Sequence, residues 1–190
     1  MAQEMVEIRW HARGGQGSKT AATLLAHVAL EEGKHGQGFP DYGPEREGAP
    51  MRAYTRISDK AIRIHSAVYT PDAVIVLDPT LLETVPVTDG LKEDGLLLVN
   101  TGKTPAEIRG ITGFATGKVF TVNASEISIA EIGRNIPNTP MLGALLKALP
   151  LLKVETIKHD VETKLKSKGD RIVQGNFRAI ERAYEEVQEG

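Results

Sequence analysis

The part of this 190-residue sequence best suited to chemistry is a short glycine-rich loop near its start. Residues 6–13 before the loop alternate apolar and polar side chains, which predicts a strand. Residues 18–33 after it predict a helix, with Ser18 as N-cap and Gly33 as C-terminal stop. A helix that begins there presents free N–H groups and a partial positive charge to the space above the loop. The loop residues are Gly14, Gly15, Gln16 and Gly17.

Three interpretations of this loop stay open at the level of sequence. The loop lacks the complete G-x-G-x-x-G pattern, and it does not match the P-loop pattern either. It is therefore a tight strand-to-helix turn, a cradle for a phosphate or pyrophosphate, or a contact surface for another subunit. No catalytic residue and no metal ligand is assigned to the loop or elsewhere in the chain.

A row of arginines in a predicted hairpin is the second candidate site. Residues 51–57 alternate, residues 58–60 supply a turn, and residues 61–65 alternate back. The pattern predicts one polar face on these two strands, which is either solvated or binds an anion or an acidic partner. Nearby carboxylates at 41, 45 and 47 are available to pair with it. The arginines are Arg52, Arg56 and Arg63.

The segment 35–50 is interrupted by glycine and proline too often for a long element, although a short strand around Gly38–Phe39 is possible before Pro40. It is either a solvated connection or a binding loop. We favour binding, because Phe39 and Tyr42 are aromatic anchors in a chain with only 5% aromatic residues.

Composition excludes several classes of function. The chain has no cysteine, so it forms no disulfide, uses no thiolate nucleophile and holds no iron–sulfur cluster by its own thiolates. A net charge of −2 gives no sign of nucleic-acid binding, and no apolar run is long enough for a membrane span. The first residues show no signal pattern, so we expect a cytoplasmic protein. Asp78 is the best single acidic candidate, but a helix N-cap is its preferred role.

The remaining pattern predicts a doubly wound α/β protein. Short apolar strands at 72–78, 96–100 and 118–123 alternate with helical segments, which favours a mostly parallel Rossmann-like sheet in an α/β/α arrangement with an inserted antiparallel hairpin. Thr104 is expected to cap one helix, and Thr139 another, with Pro140 at its first position. We predict a single domain over residues 1–190, in which residues 151–190 form a helical C-terminal extension.

Three blocks, in order, resemble a known family. They are EIRWHARGGQG at 7–17, residues 36–50 running into MRAYTRISDKAIRIHS, and NTPMLGALL at 138–146. Together they resemble the gamma subunits of the 2-oxoacid:ferredoxin oxidoreductases, and most closely those acting on pyruvate. The family oxidatively decarboxylates a 2-oxoacid, transfers the acyl group to coenzyme A and reduces ferredoxin.

The resemblance implies alpha-, beta- and delta-type partner subunits, with ferredoxin reached through the complex. Thiamine diphosphate, magnesium and iron–sulfur clusters would belong to those partners, so this chain would be inactive alone. Within it, the glycine loop would receive a coenzyme A phosphate, and Arg46, Arg52, Arg56 and Arg63 would contact either coenzyme A phosphates or an acidic subunit face. The alternatives are a stand-alone nucleotide-binding α/β domain and a purely structural scaffold. The expected subunit contacts are Phe39, Tyr42, Pro44, Glu45, Arg46, Gly48, Pro50, Asn138, Thr139 and Pro140.

Overall fold

The computed structural model describes residues 5–41 and 48–190, and a seven-stranded mixed sheet lies at the centre of this part. The strands are β1 (Met5–Arg13), β2 (His35–Asp41), β3 (Pro50–Ser58), β4 (Ala73–Val76), β5 (Leu96–Asn100), β6 (Lys118–Val122) and β7 (Gln188–Glu189). The helices are α1 (Ser18–Glu31), α2 (Pro105–Thr112), α3 (Ala124–Ile132), α4 (Asn138–Ala148), α5 (Val154–Leu165) and α6 (Asp170–Glu186). Short 3-10 turns occupy Pro79–Glu83 and Lys166–Lys168.

The strand order is β2-β3-β1-β4-β5-β6-β7. Strands β1, β4, β5 and β6 are parallel neighbours, whereas β3 runs antiparallel to both β1 and β2, and β7 runs antiparallel to β6. Five strands therefore point the same way. This confirms the predicted mostly parallel α/β sheet with an antiparallel hairpin.

The hairpin itself differs from the prediction in its second strand. Strand β3 covers the predicted residues 51–57, but its hairpin partner is β2, which precedes it. Residues 61–65, expected to be the returning strand, have no regular structure. The short strand expected around Phe39 is present and extends over the whole of β2, including Pro40. Because β2 is an edge strand, the missing proline N–H costs no ladder bond on its open side.

The sheet separates two apolar cores, which gives the three layers. On one side α1, α4, α5 and α6 pack on the sheet, and the fully buried residues there include Trp10, Leu25, Leu145 and Ile180. On the other side α2 and the turn at Pro79–Glu83 cover the parallel strands. Each fully buried aliphatic side chain in these cores stabilises the fold by about 1.5–3 kcal/mol.

Of four N-caps predicted from the sequence, those at Thr104 and Asp78 are confirmed and those at Ser18 and Thr139 are wrong. Thr104 caps α2 as predicted, in a capping box with Glu107. Ser18 is not the N-cap of α1, because Gly17 takes that position with φ 83°. Thr139 is not the cap of α4, which begins one residue earlier at Asn138, after Pro137.

The C-terminal helices contribute to the same core as the first helix. Helix α6 packs against α4 and α3, and its residues Val173 and Ile180 are buried in that layer. Strand β7 then adds to the sheet beside β6. Among the helices of residues 5–41 and 48–190, none has the combination of length and apolarity needed to cross a membrane.

Candidate functional site

The glycine loop lies at the carboxyl edge of the sheet, beside the loop that follows β4. Strands β1 and β4 are parallel neighbours, with Trp10 opposite Ile75 and His11 opposite Val76. The loops after both strands must therefore meet at one edge, which is where doubly wound folds bind their ligands. The structure thus brings Gly14–Gly17 together with Asp78, although 61 or more residues separate them in sequence.

Two glycines of the loop have backbone angles that other residues rarely adopt. Gly15 has φ 97° and Gly17 has φ 83°, both in the left-handed region. Gly17 also lies against Asn138, whose Nδ2 would be only 2.7 Å from a Cβ at position 17. The glycines therefore allow the sharp turn into α1 and a close approach of α4. This contact brings Asn138, an expected interface residue, to the glycine loop.

Gln16 and Arg13 fix the shape of the loop. The Oε1 atom of Gln16 accepts a hydrogen bond from the Arg13 N–H at 2.8 Å, and its Nε2 donates to Asp78 Oδ2 at 2.6 Å. The Arg13 guanidinium donates to Thr80 Oγ1 at 3.0 Å and to the Gly48 carbonyl at 3.2 Å. Both ends of the Gln16 amide are used inside the protein, so the loop is formed before any ligand arrives.

Asp78 has the structural role preferred for it from sequence. Its Oδ1 accepts hydrogen bonds from the Thr80 N–H at 3.0 Å and the Thr80 hydroxyl at 2.6 Å, which caps the turn at Pro79–Glu83. Burial alone would raise the pKa of Asp78, but the bonds from Thr80 and Gln16 and the charge of Arg13 outweigh it and lower the pKa. Asp78 is therefore an ionised anchor of this edge.

The start of α1 has the features of an anion site. The first i to i−4 hydrogen bond of the helix runs from Ala21 N to Gly17 O, at 2.9 Å. The N–H groups before Ala21 have no intrahelical acceptor and give this end a partial positive charge. The Ser18 side chain adds a hydroxyl that is buried and has no hydrogen-bond partner within the described residues. A buried hydroxyl of this kind needs an acceptor or donor to offset its desolvation.

The three arginines expected at a phosphate site are not grouped around the glycine loop. Arg56 is buried and uses its donors on Glu7, Gln37 and the Ser66 carbonyl. Since Glu7 is near the start of β1 and the loop follows its end, about 20 Å of strand separates them. Arg52 lies opposite His11 on the face of the sheet away from α1, where it is paired with Asp41 at 2.9 Å. Arg63 is in the exposed segment 61–65. Their positions give no support to a phosphate site shared with the loop.

Some expected subunit contacts adjoin the loop and others do not. Gly48 N donates to Gly14 O at 3.3 Å, and Pro50 pairs with Arg13 in the sheet. Thr139 and Pro140 follow Asn138 and are buried. Phe39 lies on β2, where its ring centroid is 5.3 Å from that of Tyr54. The contacts expected at Tyr42, Pro44, Glu45 and Arg46 lie outside the described residues.

Arg13 and Thr80 belong to this edge, but sequence reasoning did not select them. Arg13 could have been selected from the sequence, because it comes immediately before the glycine loop. Thr80 could have been selected only by knowing that β4 lies beside β1 in the sheet. The sequence does not show this, because β2 and β3 come between these two strands in the chain.

The fold and this edge define the chain as a doubly wound α/β protein with a glycine loop at the carboxyl end of its first strand. Residues 7–186 match the sequence profile of the pyruvate ferredoxin/flavodoxin oxidoreductase family. The chain belongs to this family. The match confirms the resemblance that the three sequence blocks indicated.

Relatives in this family are similar over their full length. The pyruvate synthase subunit PorC of Thermotoga maritima is 50% identical over 188 residues, which are 98% of this chain and 97% of that protein. The common gamma subunit of the pyruvate/ketoisovalerate oxidoreductases of Pyrococcus abyssi is 47% identical, over 97% and 98% of the two chains. A crystal structure of the T. maritima pyruvate oxidoreductase subunit PORC has a TM-score of 0.89 at 46% identity and covers 99% of both chains.

Proposed function

We propose that this chain is the gamma subunit of a pyruvate:ferredoxin oxidoreductase and has no activity alone. The complete enzyme oxidatively decarboxylates the 2-oxoacid, transfers the acyl group to coenzyme A and reduces ferredoxin. The observation that carries this proposal is the 50% identity to a pyruvate synthase subunit across 98% of the chain.

The proposal divides the chemistry among subunits. The chain has no cysteine, so iron–sulfur clusters are assigned to partner chains, which supply the thiolates. Thiamine diphosphate and magnesium are likewise assigned to the alpha-, beta- and delta-type partners. The cytoplasmic location expected from the sequence stays a prediction.

The choice of 2-oxoacid is also assigned to the partners. The P. abyssi relative is named as a subunit common to pyruvate and ketoisovalerate oxidoreductases. A subunit shared by two such enzymes does not distinguish their substrates. We extend this to the present chain, whose role is assembly and the handling of coenzyme A.

The glycine loop is the proposed contact for a coenzyme A phosphate. Gly15 and Gly17 let the backbone come close to a ligand, and the start of α1 offers N–H donors and a partial positive charge. The Ser18 hydroxyl has no hydrogen-bond partner among the described residues, and it can donate to a phosphate oxygen. Coenzyme A supplies the thiol that receives the acyl group, while these residues hold and orient its phosphate end.

Assembly is tested by co-expressing this chain, carrying an affinity tag, with the alpha-, beta- and delta-type chains. We expect the four chains to copurify and to show pyruvate- and coenzyme A-dependent ferredoxin reduction, with none from this chain alone. Turnover of pyruvate by the isolated chain would contradict the proposal, as would full activity of a complex that lacks it.

The phosphate contact is tested by Ser18→Ala in the assembled enzyme, with Thr23→Ala on the same helix as matched control. Loss of a hydrogen bond to a charged phosphate corresponds to about a tenfold change in affinity. We expect Ser18→Ala to raise the KM for coenzyme A by about tenfold while the KM for pyruvate is unchanged. Equal coenzyme A KM values for the two variants would show that this loop does not bind the phosphate.

A further inference from the structure

A cleft of about 310 Å³ opens on the side of β1 that faces away from α1. We call it the His11 cleft, and its wall includes Arg9, His11, Met51, Arg52 and Pro86. Along β1, Ile8 and Trp10 point into the core beneath α1, so Arg9 and His11 point to the opposite face. The function proposed above does not use this cleft.

His11 presents one fixed hydrogen-bond donor to the cleft. Its side chain is only 3% exposed, and its Nε2 accepts a hydrogen bond from Arg9 Nε at 3.0 Å. A guanidinium is always protonated, so Nε2 must be the unprotonated nitrogen and the proton of the neutral ring is on Nδ1. No hydrogen bond among the described residues involves Nδ1, and His11 lines the cleft.

Arg9 contributes further donors to the same wall. Its side chain is buried, and Nη2 donates to the carbonyls of Val87 at 2.9 Å and Asp89 at 2.5 Å. Together with the bond from Nε to His11, these contacts leave the Nη1 donors without a partner among residues 5–41 and 48–190. Because Arg9 lines the cleft, these donors are available to an acceptor there.

The cleft wall carries charges of both signs, from the cations Arg9 and Arg52 and the carboxylates of Asp41 and Asp89. Burial lowers the pKa of His11 to about 3, and the cations Arg9 and Arg52 lower it as well. The carboxylate of Asp41 on the cleft wall is already engaged, because its Oδ2 is 2.9 Å from Arg52 Nη2 and accepts the Tyr54 hydroxyl at 3.0 Å. A ligand at His11 therefore meets the unpartnered donors of His11 and Arg9 in a cleft whose two cations are balanced by two carboxylates.

We infer that the His11 cleft binds a carboxylate group, whose oxygens accept hydrogen bonds from His11 Nδ1 and Arg9 Nη1. A carboxylate has two acceptor oxygens, which match the two neighbouring donors, and a charge opposite to that of the Arg9 guanidinium. The volume of about 310 Å³ is at the lower end of small-ligand sites. The carboxylate belongs either to a small acid or to an Asp or Glu side chain of a neighbouring subunit.

The test titrates the full-length chain, with labelled histidine, with sodium acetate at constant ionic strength and follows the His11 ring nitrogens by NMR. We expect saturable shifts of the His11 signals, with half-saturation at about 1–10 mM for so small a probe. Sodium chloride at the same ionic strength should leave these signals in place. Unchanged His11 signals up to about 100 mM acetate, well above that range, would overturn the inference.

Two variants that each remove one positive charge show whether the acetate-dependent shifts of His11 arise from binding in the cleft. Arg52→Met removes a cation from the cleft wall, and Arg63→Met removes one from the exposed segment 61–65. Arg52→Met should weaken acetate binding by about three- to tenfold, while Arg63→Met keeps the wild-type affinity. Equal affinities of the two variants would count against the site. The Arg52 side chain is 53% exposed, so its replacement should leave the fold intact.

The assembled enzyme distinguishes the two sources of the carboxylate. If the His11 signals in the complex still respond to acetate, the site takes a small acid. If they no longer respond and already have the acetate-bound shifts, a carboxylate of a neighbouring subunit fills it. Signals that stay at the free-chain position and ignore acetate would contradict a role for the cleft in the enzyme.

Discussion

The Gln16 side chain joins two loops that are far apart in sequence, and this can be tested by one substitution. Gln16→Glu places a carboxylate where Nε2 now donates to Asp78 Oδ2 at 2.6 Å. Losing the bond and adding a like charge should reduce the free energy of unfolding by about 1–3 kcal/mol at pH 7. Urea unfolding measures this difference.

The double variant Gln16→Glu/Asp78→Asn is the control. The new asparagine amide can donate to the new carboxylate across the same gap, and asparagine is also a good N-cap. The double variant should therefore recover most of the lost stability. A double variant no better than the single one would show that the two side chains do not interact.

His11 makes stability depend on pH in a predictable direction. Burial and the nearby arginines lower its folded pKa to about 3, below the ordinary histidine value of 6.5. Between these values the unfolded chain takes up a proton that the folded chain does not, so stability falls as pH decreases from about 6.5 to about 3. The slope from this one group is about 1.4 kcal/mol per pH unit.

The measurement compares wild type with His11→Gln, whose amide can still accept from Arg9. Denaturant unfolding from pH 7 to pH 4 should show a smaller loss of stability in His11→Gln. Replacing the exposed His65 by glutamine serves as control and should reproduce the wild-type slope. Equal slopes for wild type and His11→Gln would show that the imidazole is protonated in the folded state.

Local sequence predicted the caps at Asp78 and Thr104 correctly but misplaced those of α1 and α4. The caps at Asp78 and Thr104 depend on the next few residues of their own turns. The partners of Gln16 and His11 could not be predicted, because they depend on which strand lies beside β1. No local pattern of residues signals that adjacency.

At the level of elements, two helical glycines should respond oppositely to the same substitution. A Cβ at Gly143 in α4 would lie 2.2 Å from the Ile180 carbonyl oxygen of α6, whereas one at Gly110 in α2 meets nothing within 4 Å. Gly143→Ala should therefore destabilise by about 1–3 kcal/mol, because two backbones must separate. Gly110→Ala should stabilise by up to about 1 kcal/mol. Thermal unfolding of both variants checks the two signs, and a stable Gly143→Ala would show that α4 and α6 can move apart.

The strand predicted at 61–65 is absent, which shows that alternation of apolar and polar residues is not enough to predict which segments pair in the sheet. Residues 61–65 alternate as a strand should, while β2 contains two glycines and a proline and has poor strand composition. The structure selects β2 because its glycines let α1 approach: a Cβ at Gly36 would be 2.0 Å from the Ala26 carbonyl oxygen. Tight helix-to-strand packing therefore outweighs strand propensity here.

At the level of the whole molecule, the fluorescence of the only tryptophan can show whether the sheet and the C-terminal helices unfold together. Trp10 is fully buried in the core that α5 and α6 help to form, and its Nε1 donates to Thr55 Oγ1 at 3.0 Å. If residues 151–190 belong to one domain with the sheet, as we propose, fluorescence and helical circular dichroism should change at the same denaturant concentration. An earlier loss of helical signal would identify 151–190 as a separate unit.

The strand order as a whole was beyond prediction for a related reason. The alternation of strands and helices predicted a mostly parallel sheet, and the structure confirms it. The insertion of β2 and β3 beside β1 adds two antiparallel strand pairs at one end of the sheet, and this arrangement depends on long-range packing. The glycine loop, Asp78 and Asn138 were therefore predicted as separate candidates, and their assembly at one edge was not predicted.

The two faces of β1 differ in what they would present to other molecules if the structure opened locally. On the side away from α1, the loops that carry Ser66 and Val87 cover Arg9 and Arg56 through hydrogen bonds to their carbonyls. Lifting those loops would expose charges that water hydrates readily. Release of α6 would instead expose a continuous apolar surface, including Ile180 and Ala183. Local opening on the first side thus leaves the protein dispersed, whereas opening on the second leads toward aggregation.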